Sequence, residues 1–401
     1  MRSDEVIVKK KKRGFTEPFD ASKIHVAIRK SAERILQVLT DDDCKKVSDK
    51  VLEMITEQEI GVRKLHNIVE VALDECGFNR TAESYRQYRN YKENAQKILE
   101  AVDAKTLELN YREDVSNANQ DSLLVSTKRS ILFGEMQKEK YKRIFLSAEE
   151  LEANDDGYYY INDLKDRLST YNCCLLNVGR IMKGGFKLAN MEYSEPGSVA
   201  AAIAVASDIL NVTAGNQYGG LTWPQVDEDL AMYCEKSYQF YITQFSDIVK
   251  STGGTYDEKK ADEFAEERVK REISQGIQSI EFSFNSVSSS RGDFAFLTFT
   301  FGHGTDRWSR LVSKTILEVR QGGQGKPGHK VPVLFPKLVF IYDSEIHGKG
   351  KVCEDLFKLA VDVSKTCMYP DFLSLDAGYI GEVYHKWKKV ISPMGQISTA
   401  A

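Results

Sequence analysis

The stretch TYNCCLLNV, residues 170–178, decides the fold of this chain. It is apolar toward its end and contains neither glycine nor proline, which predicts a buried β-strand. Successive side chains of a strand point to opposite faces, so one of the two thiols of Cys173 and Cys174 faces whatever the strand encloses. The simplest interpretation is two small core residues, because free cysteine is among the most buried residue types.

Two further motifs follow this strand along the chain. An Ala-rich helical pattern over residues 199–210 leads into NQYGGLTWP, residues 216–224, and ISPMG occupies residues 391–395. A Gly-Gly turn can bring backbone N–H groups close to a phosphate, because no Cβ stands in the way. Such a turn by itself is more often only a bend.

In this order, the three motifs resemble the anaerobic (class III, glycyl-radical) ribonucleotide reductases, and the resemblance runs from about residue 6 to residue 395. It implies that the strand lies inside a ten-stranded α/β barrel with its cysteine facing the ribose. The family's strand reads Asn-Cys, which Asn172-Cys173 matches, so Cys173 is the expected catalytic cysteine and Cys174 points into the packing. The resemblance also implies a substrate or effector phosphate site formed by Asn216, Gln217, Gly219 and Gly220.

Composition excludes some classes of protein. The chain has 401 residues, of which 42% are hydrophobic and 28% charged, with a formal net charge of −4. A chain of this length should hold two or three domains. Without a basic excess, nucleic acid is not expected as a partner, and no apolar run is long enough to span a membrane. The N-terminus lacks the apolar core of a signal peptide, which favours a cytoplasmic protein.

The cysteines argue against a metal site. Seven are scattered along the chain without C-x-x-C spacing, so neither a zinc ribbon nor a thioredoxin-like motif is encoded, and free thiols in a reducing compartment are expected. They are Cys44, Cys76, Cys173, Cys174, Cys234, Cys353 and Cys367.

The first hundred residues predict a separate α+β module. A short strand at residues 6–8 runs into the basic stretch KKKKRG, residues 9–14, and residues 15–19 can return as the second strand of a hairpin. Four helices should follow, the first capped by Asp20 and the third ended by Gly77. The five consecutive basic residues by themselves indicate a solvated arm or a weak nucleic-acid contact, and His66 by itself indicates a helix surface.

Together, hairpin, basic turn and helices resemble the ATP-cone, the regulatory module that binds ATP or dATP in ribonucleotide reductases. Lysines on a turn and the N–H groups of a helix N-terminus suit triphosphate oxygens. By position, the resemblance implies phosphate contacts from Lys11, Lys12 and Lys23. It places Glu17, Asp20, Ile24 and His66 around the nucleoside. The family's usual Asp after the basic pair is Arg13 here.

The remainder alternates strands and helices. Strands are predicted over residues 294–301 and 331–342, and helices over residues 225–249, 257–278 and 305–319. The glycine-rich loop at residues 322–328 could cradle an anion, although a surface loop is the simpler interpretation. This alternation predicts an α/β barrel or a doubly wound sheet, and only the resemblance selects the barrel. The expected domains are a cone (1–95), a helical connection (96–150), the N-terminal part of an incomplete barrel (151–395) and a tail (396–401).

The family's third motif usually continues as Met-Gly-Cys, and that cysteine carries a thiyl radical. Here Met394-Gly395 is followed by QISTAA, residues 396–401, which does not match the family. The resemblance therefore predicts that the thiyl cysteine, the C-terminal zinc site and the stored glycyl radical are absent, and that this chain alone is inactive. A split gene, an interrupting element, a frameshift and a fragment are alternative causes.

The predicted function is that of an anaerobic ribonucleoside-triphosphate reductase, which makes deoxyribonucleotides for DNA synthesis by radical chemistry under ATP/dATP control. The resemblance implies as partners ribonucleoside triphosphates, a radical-SAM activating enzyme, a second copy in a homodimer and a polypeptide carrying the C-terminal half. The reductant is formate or a dithiol. The alternative is a non-catalytic ATP/dATP-sensing protein. ATP-cones also occur in a repressor family, but there a zinc ribbon precedes the cone, and no cysteine precedes Val6.

Overall fold

The computed structural model describes the residues in eight stretches: 6–9, 16–111, 120–166, 172–217, 219–287, 289, 292–388 and 390–392. The chain divides into two compact units, residues 1–104 with 139–160 and residues 105–138 with 161–401. The predicted phosphate ligands Lys11 and Lys12, and the motif Met394-Gly395, lie outside the described residues. Across the eight stretches, every helix is too short or too polar to cross a bilayer.

The first unit contains a three-stranded sheet. Strand β1 (Ile7–Lys9) pairs antiparallel with β2 (Thr16–Pro18) and parallel with β3 (Glu59–Gly61). The predicted hairpin is confirmed. The third strand was not predicted, because three residues are too few to show a period-2 pattern.

Four helices pack against this sheet, as predicted. They are α1 (Ala21–Glu33), α2 (Asp41–Met54), α3 (Val62–Glu75) and α4 (Asn79–Tyr111). The Asp20 carboxylate accepts the backbone N–H of Ser22 and caps α1. Gly77 follows α3 with φ +90°, a conformation that costs glycine little. Helix α4 continues over 33 residues, well past the expected boundary at residue 95.

The core of the first unit is formed by side chains of the sheet and the helices. The fully buried members include Val6, directly before β1, Ile28 of α1, Val47 and Val51 of α2, and Leu73 of α3. These apolar positions recur at helical spacing, which is why the helices could be predicted from the sequence.

Two helices and a short 3₁₀ turn follow: α5 (Val125–Phe145), α6 (Ala148–Asp155) and the turn Leu164–Asp166. Ser147 caps α6, and Glu150 returns the hydrogen bond in a capping box. The prediction of a largely helical stretch is confirmed for the described part of residues 96–150. The predicted break at residues 117–120 lies mostly outside the described residues.

The second unit is built on a parallel sheet. Its seven described strands are β4 (Cys174–Leu175), β5 (Phe186–Leu188), β6 (Met191–Tyr193), β7 (Leu221–Trp223), β8 (Leu297–Phe301), β9 (Lys337–Tyr342) and β10 (Asp371–Ser374). Five of them form one sheet in the order β10-β9-β8-β7-β4 with all neighbours parallel, while β5 and β6 form a separate antiparallel pair. Every residue of β8 is buried, which confirms a strand covered on both faces.

Helices lie between the parallel strands along the chain, and the last helix follows β10. They are α7 (Val178–Met182), α8 (Val199–Gly215), α9 (Val226–Thr252), α10 (Glu258–Ser286), α11 (Arg307–Gly322), α12 (Ser344–His347), α13 (Glu354–Cys367) and α14 (Gly378–Trp387). One continuous apolar core joins the sheet to these helices, with Trp223, Phe299 and Phe340 among its fully buried side chains. The unit is therefore a mixed α/β structure around a parallel sheet.

The prediction of a strand over residues 170–178 was too long. Strand β4 ends at Leu175, and only the N–H of Leu176 continues the ladder, to the carbonyl oxygen of Thr222 at 2.9 Å. The side chain of Asn177 accepts the N–H of Arg180 at 2.8 Å and thereby starts α7. Leu175 is 41% exposed, because β4 is an edge strand of the described sheet.

The prediction of a strand over residues 331–342 was also too long. Strand β9 begins at Lys337, directly after Pro336, which has no N–H to donate to a ladder. Val331 instead forms an isolated bridge with Gln324, which folds the glycine-rich loop back on itself. The loop is thus a closed surface turn.

Candidate functional site

Cys173 lies at the amino-terminal side of β4, against the loop that leads into β7. Its Sγ atom accepts the backbone N–H of Gly220 at 3.2 Å and lies 3.3 Å from Oδ1 of Asn172, to which the thiol donates. The thiol is half-buried and belongs to no disulfide. The sulfur is therefore held between one donor and one acceptor at the edge of the sheet.

The Gly219-Gly220 turn packs against the backbone next to this thiol. The N–H of Gly219 donates to the carbonyl oxygen of Asn172 at 2.6 Å. A Cβ on Gly219 would lie 2.5 Å from that oxygen and 2.6 Å from Sγ of Cys173, closer than real side chains allow. Residue 219 must therefore be glycine for the loop to lie this close to the cysteine.

The four residues predicted to bind phosphate are differently placed. The side chain of Asn216 donates to the carbonyl oxygen of Val212, within the end of α8. The side chain of Gln217 is buried and donates to the carbonyl oxygen of Gly220 at 2.9 Å. The N–H groups of Gly219 and Gly220 are bonded to Asn172 and Cys173, so neither is directed at an open anion site in this structure. The phosphate role stays a prediction.

Cys174 has different surroundings from its neighbour. Its side chain packs against the core of the second unit, and burial raises the pKa of its thiol. That the two thiols point to opposite sides of the strand stays a prediction. The catalytic role of Cys173 remains a prediction of the sequence.

A cavity of about 230 Å³ adjoins the Gly219 turn at the amino-terminal edge of β7 and β8. Its polar wall carries three carboxylates, a lysine and amide side chains, and aromatic rings close the other side. The lining includes Gln120, Asp163, Lys165, Asp166, Gln217, Asp293, Phe294 and Phe296. Hydroxyl and amino groups of a small polar ligand would find acceptors here.

A larger cavity, of about 680 Å³, lies within the first unit between β1, α1, α3 and α4. Six of its lining residues are basic and one is acidic: Lys9, Lys23, Lys30, Arg63, Arg89, Lys92 and Glu93. Tyr85 and Tyr88 form part of the wall. A cavity with this charge and these rings suits a polyanion that carries a flat aromatic group.

Lys23 and His66, both predicted from the sequence, line this cavity. The Nδ1 atom of His66 lies 2.5 Å from the hydroxyl of Tyr85. Burial, together with the charges of Arg89 and Lys92, lowers the pKa of His66, so its imidazole is neutral at pH 7. A neutral imidazole can exchange hydrogen bonds with a base or a ribose without adding charge.

The other predicted cone residues do not line the cavity. Glu17 accepts a hydrogen bond from Lys23 at 2.9 Å, and Asp20 caps α1. Ile24 is buried in the core of the first unit. These three residues support the wall of the cavity, and their contact with a nucleoside stays a prediction.

Sequence reasoning missed the contribution of α4 to this cavity. Tyr85, Arg89, Lys92 and Gln96 recur at spacings of four, three and four residues and therefore share one face of the helix. An aromatic and basic stripe of that kind was a readable signal. Arg63 at the start of α3 could not have been connected to it without knowing how the helices pack.

A second cluster that the sequence did not reveal lies at the carboxyl ends of β7, β8 and β9. His303 follows β8, with Nδ1 3.6 Å from Glu228 and Nε2 3.8 Å from Asp343. The hydroxyl of Tyr384 lies 3.2 Å from Nε2. The Glu228 carboxylate raises the pKa of His303. Within the described residues, no group of three or more His, Cys, Asp or Glu side chains is arranged to hold a metal ion.

Asp227 holds the loop that carries His303. Its Oδ2 atom accepts the N–H groups of Gly302 and Gly304 at 3.0 and 3.2 Å and the hydroxyl of Ser313 at 3.1 Å. Complete burial raises the pKa of Asp227 to about 6. The loop is therefore held by a buried carboxyl group whose pKa is raised by burial.

Family models match both units. A model for the anaerobic ribonucleoside-triphosphate reductase matches residues 116–397, and a model for the ATP cone domain matches residues 7–94. The anaerobic ribonucleoside-triphosphate reductase of Haemophilus influenzae is 29% identical over 376 residues, which are 91% of this chain and 52% of that protein. The Escherichia coli protein of the same name is 29% identical over 374 residues, 91% of this chain and 51% of its own. The chain thus spans about half the length of the curated relatives it matches.

Two other similarities are more limited. The reductase of Enterobacteria phage T4 is 31% identical over 261 residues, 64% of this chain and 41% of the phage protein. A crystal structure of the Thermotoga maritima anaerobic ribonucleotide reductase, with dATP in its specificity site, has a TM-score of 0.45 at 12% identity. It covers 73% of this chain and 51% of that one.

Proposed function

The chain belongs to the anaerobic ribonucleoside-triphosphate reductase family, and we propose that it supplies the reducing cysteine and the nucleotide-sensing domain for converting ribonucleoside triphosphates to deoxyribonucleotides. The observation that carries this proposal is the placement of Cys173. Its thiol lies at the edge of the parallel sheet, held between Asn172 and the N–H of Gly220, next to a polar cavity.

The chemistry needs a thiol in such a place. Replacing the ribose 2′-OH by hydrogen releases water, so two electrons and two protons must enter. In the family's reaction a thiyl radical removes the 3′-hydrogen, and the strand cysteine helps to reduce the intermediate from the opposite face. We assign the second role to Cys173. The thiyl role falls to none of Cys234, Cys353 and Cys367, because all three are buried in the core of the second unit.

The topology supports an incomplete ten-stranded barrel as the catalytic fold. The five parallel strands follow one another across the sheet in the order in which they occur along the chain. A doubly wound sheet reverses its strand order at a switch point, and this sheet has no such reversal among its described strands. A sheet that grows in one direction is the arrangement that can curl into a barrel.

The first unit supplies the regulation in this proposal, with ATP and dATP as effectors. Its cavity has room for a nucleotide, six basic residues for the phosphates, and Tyr85, Tyr88 and His66 for the nucleoside. The remaining participants are a radical-generating activating enzyme, formate or a dithiol, and a second copy of the protein. The reaction belongs in the cytoplasm, where thiols stay reduced.

The test is an anaerobic assay of the chain with a ribonucleoside triphosphate, the activating enzyme, a reductant and a polypeptide that supplies the rest of the family's sequence. Cys173→Ala should abolish deoxyribonucleotide formation, because the reduction loses its hydrogen donor. The matched variant Cys174→Ala should retain activity, since that side chain packs against the core. Undiminished product formation by Cys173→Ala would overturn the assignment.

The second candidate function is a nucleotide sensor without catalysis. It is favoured by one observation, that the whole basic cavity lies within the first unit and needs no residue of the second. Under this alternative the chain binds ATP or dATP, and neither Cys173 nor the Gly219 turn affects any product. The assay above separates the two functions.

A further inference from the structure

Gln217 is a polar residue that is buried two positions before Gly219. It lies between α8 and β7, and only 4% of its surface is exposed. Its Nε2 atom donates to the carbonyl oxygen of Gly220 at 2.9 Å and lies 3.4 Å from that of Gly219. A buried amide is retained where its hydrogen bonds are made. The structure thus ties Gln217 to the glycine turn.

Gly220 contacts both the Gln217 amide and the segment that carries Cys173 and Cys174, through its N–H and its carbonyl group. Its N–H donates to Sγ of Cys173 at 3.2 Å. Its carbonyl oxygen accepts both the Gln217 side chain at 2.9 Å and the N–H of Cys174 at 3.1 Å. The neighbouring Gly219 N–H is bonded to Asn172 at 2.6 Å. A change at Gln217 therefore reaches the thiol through a single glycine residue.

The hydrogen bond from the N–H of Gly220 to the sulfur of Cys173 is the contact that affects the reactivity of the thiol. A hydrogen bond to sulfur favours the negatively charged form, and the thiolate is the form of cysteine that reacts as a nucleophile. The thiol proton, in turn, is directed to Oδ1 of Asn172. Glycine has the widest conformational freedom of any residue, so a Gly-Gly turn needs a partner that fixes it. The buried amide of Gln217 is one such partner, and it lies on the side of Gly220 away from its N–H.

We propose that Gln217 is a positioning residue for Cys173, which holds the Gly220 N–H on the sulfur and so sets the reactivity of the thiol. This role rests on the proposed function for its biological meaning, since it concerns the cysteine assigned to the reduction.

The proposal is tested on the full chain by alkylation of Cys173 as a function of pH, in a Cys174→Ala background, with Cys76 as an internal reference thiol in the first unit. Gln217→Leu removes the donor and keeps the approximate volume. Gln217→Glu keeps the shape but sets a carboxylate against two carbonyl oxygens. Asn211→Ala is the matched control, because the hydrogen bonds that its side-chain amide donates among the described residues stay within α8, to Ser207.

We expect Cys173 in both Gln217 variants to react about two- to tenfold more slowly near pH 8, the effect of one lost hydrogen bond. The difference in alkylation rate between variant and parent chain should vanish at high pH, where the thiol is ionised in both. The pH dependence of the rate should therefore move to higher pH in the variants. Asn211→Ala and the Cys76 reference should show no change. A merely structural role for Gln217 predicts a rate change of equal size at every pH, and either that result or an unchanged profile would overturn the proposal.

This outcome is independent of the proposed function. Loss of product in Cys173→Ala with an unchanged alkylation profile in the Gln217 variants would refute the positioning role and leave the reductase assignment in place. A shifted profile together with full activity of Cys173→Ala would do the reverse.

Discussion

The backbone nitrogen of Gly219 donates to the carbonyl oxygen of Asn172 at 2.6 Å, and this contact brings the glycine turn directly onto the strand that carries Cys173. Strand and turn are 47 residues apart in the chain, as measured from Cys173 to Gly220. The site therefore depends on how closely two backbones can approach, which is a property of residue 219 itself.

Gly219→Ala should destabilise the second unit and disturb Cys173. The added Cβ would lie 2.5 Å from the Asn172 oxygen and 2.6 Å from Sγ of Cys173, so strand and turn must separate. Overpacking of this kind costs about 1–3 kcal/mol. All three tryptophans, Trp223, Trp308 and Trp387, lie in the second unit, so urea denaturation followed by tryptophan fluorescence measures it. Gly197→Ala is the control, with nothing within 4 Å of its Cβ, and an equal loss in both variants would contradict the prediction.

Brief alkylation of the folded chain should modify Cys173 several-fold faster than Cys174. The thiol of Cys174 packs against the core, and burial raises its pKa, whereas the sulfur of Cys173 lies against the glycine turn and accepts the N–H of Gly220. Tandem mass spectrometry of the shared peptide distinguishes the two positions. Preferential modification of Cys174 would mean that the strand register is shifted by one residue and that the reducing role belongs to Cys174.

Lys23→Ala should weaken binding of ATP or dATP by the chain about three- to tenfold. Lys23 lines the basic cavity, and the expected loss of affinity is small for a charged contact because the side chain is 59% exposed and pairs with Glu17. Isothermal titration calorimetry measures the affinity. Lys50→Ala serves as the control, because Lys50 pairs with Glu75 and does not line the cavity. Equal affinities of both variants would argue against this cavity as the nucleotide site.

The His303 cluster should make the second unit less stable as the pH rises. The pKa of His303 is raised in the folded state by Glu228, so its contribution is fully present below the unfolded value of 6.5 and is lost as the pH rises through the folded pKa. Asp227, whose pKa is raised to about 6, acts in the same direction between its unfolded value of 3.8 and pH 6. His303→Gln should therefore destabilise more at pH 5.5 than at pH 8.5, by urea denaturation.

The other titratable groups near His303 are Glu228, Asp343, Tyr384 and His347. Glu228 has a lowered pKa and stays ionised at pH 5.5, while burial lowers the pKa of His347. Neither group therefore reverses the direction expected for His303. A stability difference between His303→Gln and the parent chain that is constant across this pH range would refute the prediction.

The sequence predicted those parts of the fold whose pattern is local. Apolar residues at helical spacing predict helices α8 to α11, and a run of aromatic and β-branched residues predicts β8. Short strands were missed, because β3 and β10 are defined by their partners rather than by their own three or four residues. Strand β4 was overestimated, because Asn177 caps a helix and so ends the extended stretch.

The candidate site was predictable only in part for the same reason. Strand geometry alone predicts that Cys173 and Cys174 point to opposite sides. The proposed role of Gln217 could not be predicted from the sequence, because its partner Gly220 contacts β4 only in the folded chain, where the turn lies against that strand. His303 was equally hidden, because Glu228, Asp343 and Tyr384 come from three distant segments that the parallel sheet brings to one edge.

Arg320→Met should destabilise the second unit by about 3–5 kcal/mol, because it leaves the Glu281 carboxylate buried without its counter-charge. The two side chains are 0% and 1% exposed, and Nε of Arg320 donates to Glu281 at 2.8 Å. The double variant Arg320→Met/Glu281→Leu should recover most of that loss, since apolar side chains of similar size can replace a buried pair. Lys358→Met, which breaks an exposed pair with Glu354, is the control and should cost less than about 1 kcal/mol. Urea denaturation followed by tryptophan fluorescence gives all three values. A double variant less stable than Arg320→Met would contradict the prediction and would show that the hydrogen bond from Gln324 to Glu281 contributes more than removal of the unpaired charge recovers.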